Sequence, residues 1–98
     1  MSTIATRPAL SQTSDVTKVT SSATVVALSA FSEGHLGRTI YNASTQVLYV
    51  KLGDAASATD FTVAIAASGY YEVPFGYVGN ITGLWASANG FAYVTELQ

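Results

Sequence analysis

The sequence predicts an all-β domain, a small antiparallel sandwich or barrel of about seven short strands, and three observations predict it. Apolar and polar residues alternate with period two in short runs, most cleanly over 46–52 and 60–66. Glycine, asparagine and proline interrupt the chain about every 8–12 residues, the spacing of strands joined by turns. No stretch carries the apolar stripe of an amphipathic helix. At 98 residues the chain suits one domain and buries roughly 64% of its unfolded surface, enough for one thin core.

Residues 1–22 form an N-terminal arm and 23–98 the β-domain. Eleven of the first 24 residues are Ser or Thr, and Ile4, Leu10, Val16 and Val19 stand isolated among them. Such a segment buries too little to offset its ordering entropy alone. Two readings stand: a disordered tail, or an extended arm that orders against a neighbouring subunit. Arg7 precedes Pro8 and is pushed towards extended geometry.

The β-domain opens with a strand over 24–29, rich in valine and free of helical periodicity. A loop bearing Gly34 and Gly37 leads to a second strand over 38–41. Asn42 and Ser44 supply turn chemistry, because their side chains replace backbone partners. In the strand over 46–52, Leu48, Val50 and Leu52 share one face and Val47, Tyr49 and Lys51 the other. These two strands are expected to pair as a hairpin.

The small residues of 53–59 predict a surface loop. In the next strand Phe61, Val63 and Ile65 are expected inward and Asp60, Thr62 and Ala64 outward. A short strand over 70–75 ends near Pro74, which places it at a sheet edge or end. The strands over 81–86 and 91–97 flank Ser87-Ala-Asn-Gly90, read as a four-residue hairpin loop.

Charge is the most informative part of the composition. Asp, Glu, Lys and Arg make up 10% of the chain, against about 25% in ordinary soluble domains. From Phe61 to Thr95 the one formal charge is Glu72, among eight aromatic residues. A surface kept wet by Ser, Thr, Asn and Gly is one explanation. We favour the other, that much of it faces protein subunits, since interface cores are poor in charge and rich in aromatics. The net charge of −2, with Arg7, Lys18, Arg38 and Lys51 dispersed, gives no basic patch, so no nucleic acid partner is expected. No run of apolar residues is long enough to span a membrane, so no membrane partner is expected. No secretion signal is visible, so synthesis in the cytoplasm is the expectation.

Few residues invite chemistry. The chain has no cysteine and one histidine, His35, so one chain holds neither a thiolate nor a multi-histidine metal site, and no cofactor or metal is expected. His35 is expected to be a solvated loop residue. No G-x-S-x-G elbow accompanies the serines, and no enzyme is expected. Asp54, Asp60, Glu72 and Glu96 are expected as solvated face residues rather than a paired acid and base.

The aromatics remain. Tyr70 and Tyr71 are adjacent, so they point to opposite faces of their strand and at least one leaves the core. Arg7, Pro8 and Leu10 in the arm and Tyr70, Tyr71, Phe75, Tyr77 and Trp85 in the charge-poor segment are the candidate interface residues. A flat aromatic platform for a carbohydrate is the competing use of Tyr70, Tyr71, Phe75, Tyr77 and Trp85.

From Arg38 to the C-terminus the chain resembles small β-domain virion proteins of tailed bacteriophages. The resemblance is carried by Arg38-Thr-Ile-Tyr-Asn-Ala-Ser, Leu48-Tyr-Val-Lys-Leu-Gly-Asp-Ala-Ala-Ser, Phe61-Thr-Val-Ala-Ile, Tyr71-Glu-Val-Pro, Gly79-Asn-Ile-Thr-Gly-Leu-Trp and Ala88-Asn-Gly-Phe-Ala-Tyr-Val-Thr-Glu-Leu. It is a pattern of strands and turns without a catalytic signature. It implies a non-enzymatic structural protein on the phage virion, with capsid decoration or cement on the head exterior expected first. A tail, neck or fibre accessory role comes second and a small carbohydrate-binding module third. The implied partners are the major capsid protein or other virion proteins, with a homo-oligomer, a trimer first, as the expected state.

Overall fold

The structure is a computed structural model and describes residues 10–74 and 76–98. Among the described residues, eight strands form two four-stranded antiparallel sheets and there is no helix. The strands are β1 (Ser14–Thr20), β2 (Val26–Ser29), β3 (Gly37–Ala43), β4 (Leu48–Leu52), β5 (Val63–Ile65), β6 (Tyr70–Glu72), β7 (Ile81–Trp85) and β8 (Phe91–Leu97). Sheet A has the order β1-β8-β3-β6 and sheet B the order β2-β7-β4-β5. The arrangement is a small β-sandwich.

The core lies between the sheets. Ile40, Ala92 and Val94 from sheet A face Leu28, Leu48, Val50, Ile65, Ile81 and Trp85 from sheet B, with Val73 closing the cluster. Gly83 allows this packing: a Cβ there would lie 2.8 Å from Leu28 Cδ1 and 2.9 Å from the Tyr49 carbonyl oxygen. Leu28 and Leu48 occupy the space that a side chain would take.

Six of the seven connections carry the chain from one sheet to the other; β4–β5 alone stays within a sheet. This overturns two expectations. β3 and β4 do not form a hairpin, since β3 pairs with β6 and β8 while β4 pairs with β5 and β7. Nor do β7 and β8 pair across Ser87-Ala-Asn-Gly90, which is an arch between the sheets. Gly90 has φ +79°, and a Cβ there would come within 2.4 Å of the Ala43 carbonyl oxygen. Tight arches and tight hairpins draw on the same Asn and Gly residues, so turn chemistry alone does not separate them.

An arch leaves backbone groups outside the ladders, and they need other partners. The Asn42 side chain, fully buried on the inner face of β3, supplies several. Its amide nitrogen donates to the carbonyls of Gln46 at 2.7 Å, Ile65 at 3.0 Å and Ala66 at 3.2 Å. Its oxygen accepts from Ser44 Oγ at 2.7 Å and from Trp85 Nε1 at 3.2 Å. One carboxamide therefore ties the β3–β4 arch, the end of β5 and the core tryptophan together.

The described part of the arm, residues 10–22, is ordered against its own chain rather than against a neighbouring subunit. Ser14–Thr20 pairs along its full length with β8 of the same chain, from Ser14↔Leu97 to Thr20↔Phe91. Its side chains are exposed except for Val19, which packs against the core. Backbone ladder bonds rather than apolar burial hold β1 in place, and composition gave no signal of them. Phe61 also departs from expectation. β5 begins only at Val63, so the alternation stops short of Phe61, whose ring is tilted against Tyr49 with centroids 4.9 Å apart.

Replacing Asn42 with alanine strands the Trp85 indole N–H and buried carbonyls without partners. The expected loss is about 3 kcal/mol or more, because each buried unsatisfied group costs about 1–3 kcal/mol. Urea denaturation checks it; a loss below about 1 kcal/mol would show that Asn42 does not hold the arches.

Candidate interaction surface

The outer face of sheet A is the surface with the most distinctive chemistry. Inner and outer positions are fixed by alternation: Ile40, Ala92 and Val94 are in the core, so their neighbours Tyr41 and Tyr93 point outward. In β6, Tyr71 packs against the core, so Tyr70 and Glu72 point outward. The register then aligns these residues across all four strands. Tyr41 lies opposite Tyr70 on one side and Tyr93 on the other, and Tyr93 lies opposite Lys18.

The result is one cross-strand row, Lys18, Tyr93, Tyr41 and Tyr70, with neighbours about 4.8 Å apart. Tyr93 is 37% exposed, Tyr41 40% and Tyr70 60%. On one side of the row lie Thr20, Phe91 and Ala43; on the other lie Val16, Thr95, Thr39 and Glu72. The Lys18 ammonium stands 3.9 Å above the centre of the Phe91 ring. A cavity of about 280 Å³ opens at the β6 edge, lined by Gly37, Thr39, Glu72, Pro74 and Leu97 among others. The face is aromatic and nearly neutral, a composition suited to contact with another protein surface.

The candidate residues read from the sequence separate sharply. Tyr70 is on this face. Tyr71 and Tyr77 are partly buried and packed against the core, and the Tyr77 hydroxyl donates to the Asn80 carbonyl at 2.6 Å. Trp85, expected at an interface, is 1% exposed and forms part of the core. Its place in β7, in line with Ile81 and Gly83, points the indole inward, and Asn42 fills its one donor. Leu10 is 68% exposed at the entrance to β1, away from the core. Arg7, Pro8 and Phe75 lie outside the described residues. Tyr41 and Tyr93 were missed as surface candidates; they meet only through strand pairing between distant segments, although each stands in an alternating run.

A polar cluster fills the opposite end of the interior from Asn42. Arg38, buried on the inner face of β3, donates from Nη1 to the Gly79 carbonyl at 2.8 Å and to Ser29 Oγ at 3.1 Å, and from Nη2 to the Tyr77 carbonyl at 2.9 Å. Ser29 in turn donates to Glu96 at 2.6 Å. Desolvation by burial pulls the guanidinium below its ordinary pKa, opposed by the negative potential of Tyr77 and Glu96. His35 is not the solvated residue expected: its side chain is 6% exposed, with Nε2 3.0 Å from the Ala30 carbonyl and 3.9 Å from Glu96. Asp54, Asp60 and Glu72 are exposed and have separate partners, whereas Glu96, opposite Asp15 in the β1–β8 register and expected as a solvated face residue, is half-buried beside His35. Asp60 pairs with Lys51 at 2.6 Å, Asp54 accepts from Asn80 and Glu72 accepts from Tyr70.

The fold and its surface thus define a small antiparallel β-sandwich with a tyrosine-bearing outer sheet face. No family model, curated protein or solved structure matches the chain.

The outer tyrosines and the inner tryptophan are expected to respond oppositely to truncation. Tyr41→Ser and Tyr93→Ser should each cost less than about 1 kcal/mol, the scale of a cross-strand pair on an exposed face. Trp85→Ala should cost about 3–5 kcal/mol. Denaturation midpoints of the three variants check the assignment; comparable losses would contradict it.

Proposed function

We propose that this chain is a non-enzymatic structural protein of a tailed-phage virion, a capsid decoration or cement protein that binds through the outer face of sheet A. The observation that carries the protein-contact part is the row of three exposed tyrosines on a nearly uncharged sheet face. Tyrosine supplies large contact area at low entropic cost and keeps a polar tip for hydrogen bonding. The virion setting is supported by the resemblance of the segment from Arg38 onward to small phage β-domain proteins. Repetition over a symmetric shell would multiply a weak contact into firm attachment. Its partners are the major capsid protein or other virion proteins, and its place is the head exterior.

The tyrosine row also favours a second reading, a glycan platform, since sugar rings stack on flat aromatic faces. That platform would use Tyr41, Tyr70 and Tyr93 rather than the core residue Trp85. A tail or fibre role keeps the same protein contact and changes the copy number.

Quantitative mass spectrometry of purified virions separates these readings. Decoration predicts on the order of hundreds of copies per particle, retained by avidity, and their loss in a Tyr41→Ser/Tyr93→Ser variant. A handful of copies would move the protein to the tail. Absence from particles, together with glycan-induced shifts of the tyrosine ring resonances, would replace the virion reading with carbohydrate binding.

A further inference from the structure

We infer that the outer face of sheet A is self-complementary and pairs with the same face of a second copy about a two-fold axis parallel to the strands. This rests on the protein-contact reading of that face: in the free protein a second copy occupies the face that the virion partner takes on the particle. Among the described residues, Lys18 and Glu72 carry the only formal charges on this face, and they stand on the two outermost strands, β1 and β6.

A two-fold axis along the strands, passing between the central strands β8 and β3, exchanges the two edges. It lays β1 of one copy over β6 of the other. Lys18 then lies opposite Tyr70 of the second copy and one residue pair along the strands from its Glu72, so the two charges approach when the ammonium swings away from Phe91, and the contact occurs twice by symmetry. Tyr93 of each copy faces Tyr41 of the other. Val16, 61% exposed on β1, is brought against the cavity that Gly37, Thr39 and Glu72 line at the β6 edge. The alternative in-plane axis, across the strands, lays β1 on β1 and sets Lys18 against Lys18. The charge pattern therefore selects one axis.

Face-to-face packing of twisted sheets at about −30° and about 10 Å separation leaves room for interleaved tyrosines. The area sets the strength. Four strands of up to seven residues span roughly 19 Å by 24 Å, or about 450 Å² per copy. A standard stable interface takes about 800 Å² per partner, so this pair is weak and concentration-dependent. The exchange of edges favours a two-fold pair over the trimer expected from the sequence.

Sedimentation equilibrium of the full chain, with Lys18→Glu, Glu72→Lys and the double variant Lys18→Glu/Glu72→Lys, tests the inference. The wild-type mass should rise from monomer towards dimer between about 10 μM and about 1 mM. Each single reversal should weaken association by about tenfold or more, because it places like charges together at two symmetric contacts. The double reversal should restore association to within about threefold of wild type. Unchanged denaturation midpoints establish that all three variants remain folded. A wild-type monomer at about 1 mM, a trimer, or a double variant as weak as the singles would each overturn the pairing. A monomer whose virion retention still depends on Tyr41 and Tyr93 would end the pairing and leave the protein-contact reading intact. A monomer with no such dependence would end both.

Discussion

The inner face of β3 governs how this sandwich closes. Arg38, Ile40 and Asn42 follow one another on it, a donor at either end of the core and an apolar residue between them. The chain crosses between sheets at nearly every connection, so carbonyls accumulate at both ends of the interior, outside any ladder. Arg38 takes those of Tyr77 and Gly79 on the way from β6 to β7. Asn42 takes those of Gln46, Ile65 and Ala66 at the other end. A buried carbonyl without a donor costs far more than an average hydrogen bond contributes, so these two side chains set which crossings are tolerable.

The same strand organises the exterior. β3 is flanked by β8 and β6, and fixing Ile40 and Asn42 inward fixes Tyr41 outward between them. The ladders on either side then bring Tyr93 and Tyr70 beside it. The tyrosine row is in this sense a consequence of the core: the residues that satisfy the arches also aim the tyrosines. β1 extends the row by one residue, Lys18, and adds little to the core.

The sequence was legible where alternation is local. Leu48, Val50 and Ile65 are inward, as their period-two runs require, and the opposite facing of Tyr70 and Tyr71 follows from adjacency alone. Sheet membership was not legible, because the segment at Asn42–Thr45 has the same chemistry whether the chain turns back in one sheet or arches to the other. β1 escaped notice since its side chains face water and its stabilising groups are backbone. The tyrosine row was hidden for a related reason: Tyr41, Tyr70 and Tyr93 belong to separate segments and become neighbours only through register. Trp85 misled in the opposite direction, as its charge-poor surroundings look like interface whereas its strand position makes it core.

Nitration of tyrosines, mapped by peptide mass spectrometry in dilute protein and in intact virions, reads whether the outer face of sheet A is covered on the particle. Tyr41, Tyr70 and Tyr93 should react readily in the dilute chain, ahead of the partly buried Tyr71 and Tyr77, and become protected together on the particle. Equal reactivity of the three in both states would contradict it, for the outer face of sheet A would then be bare in the assembly it is proposed to serve.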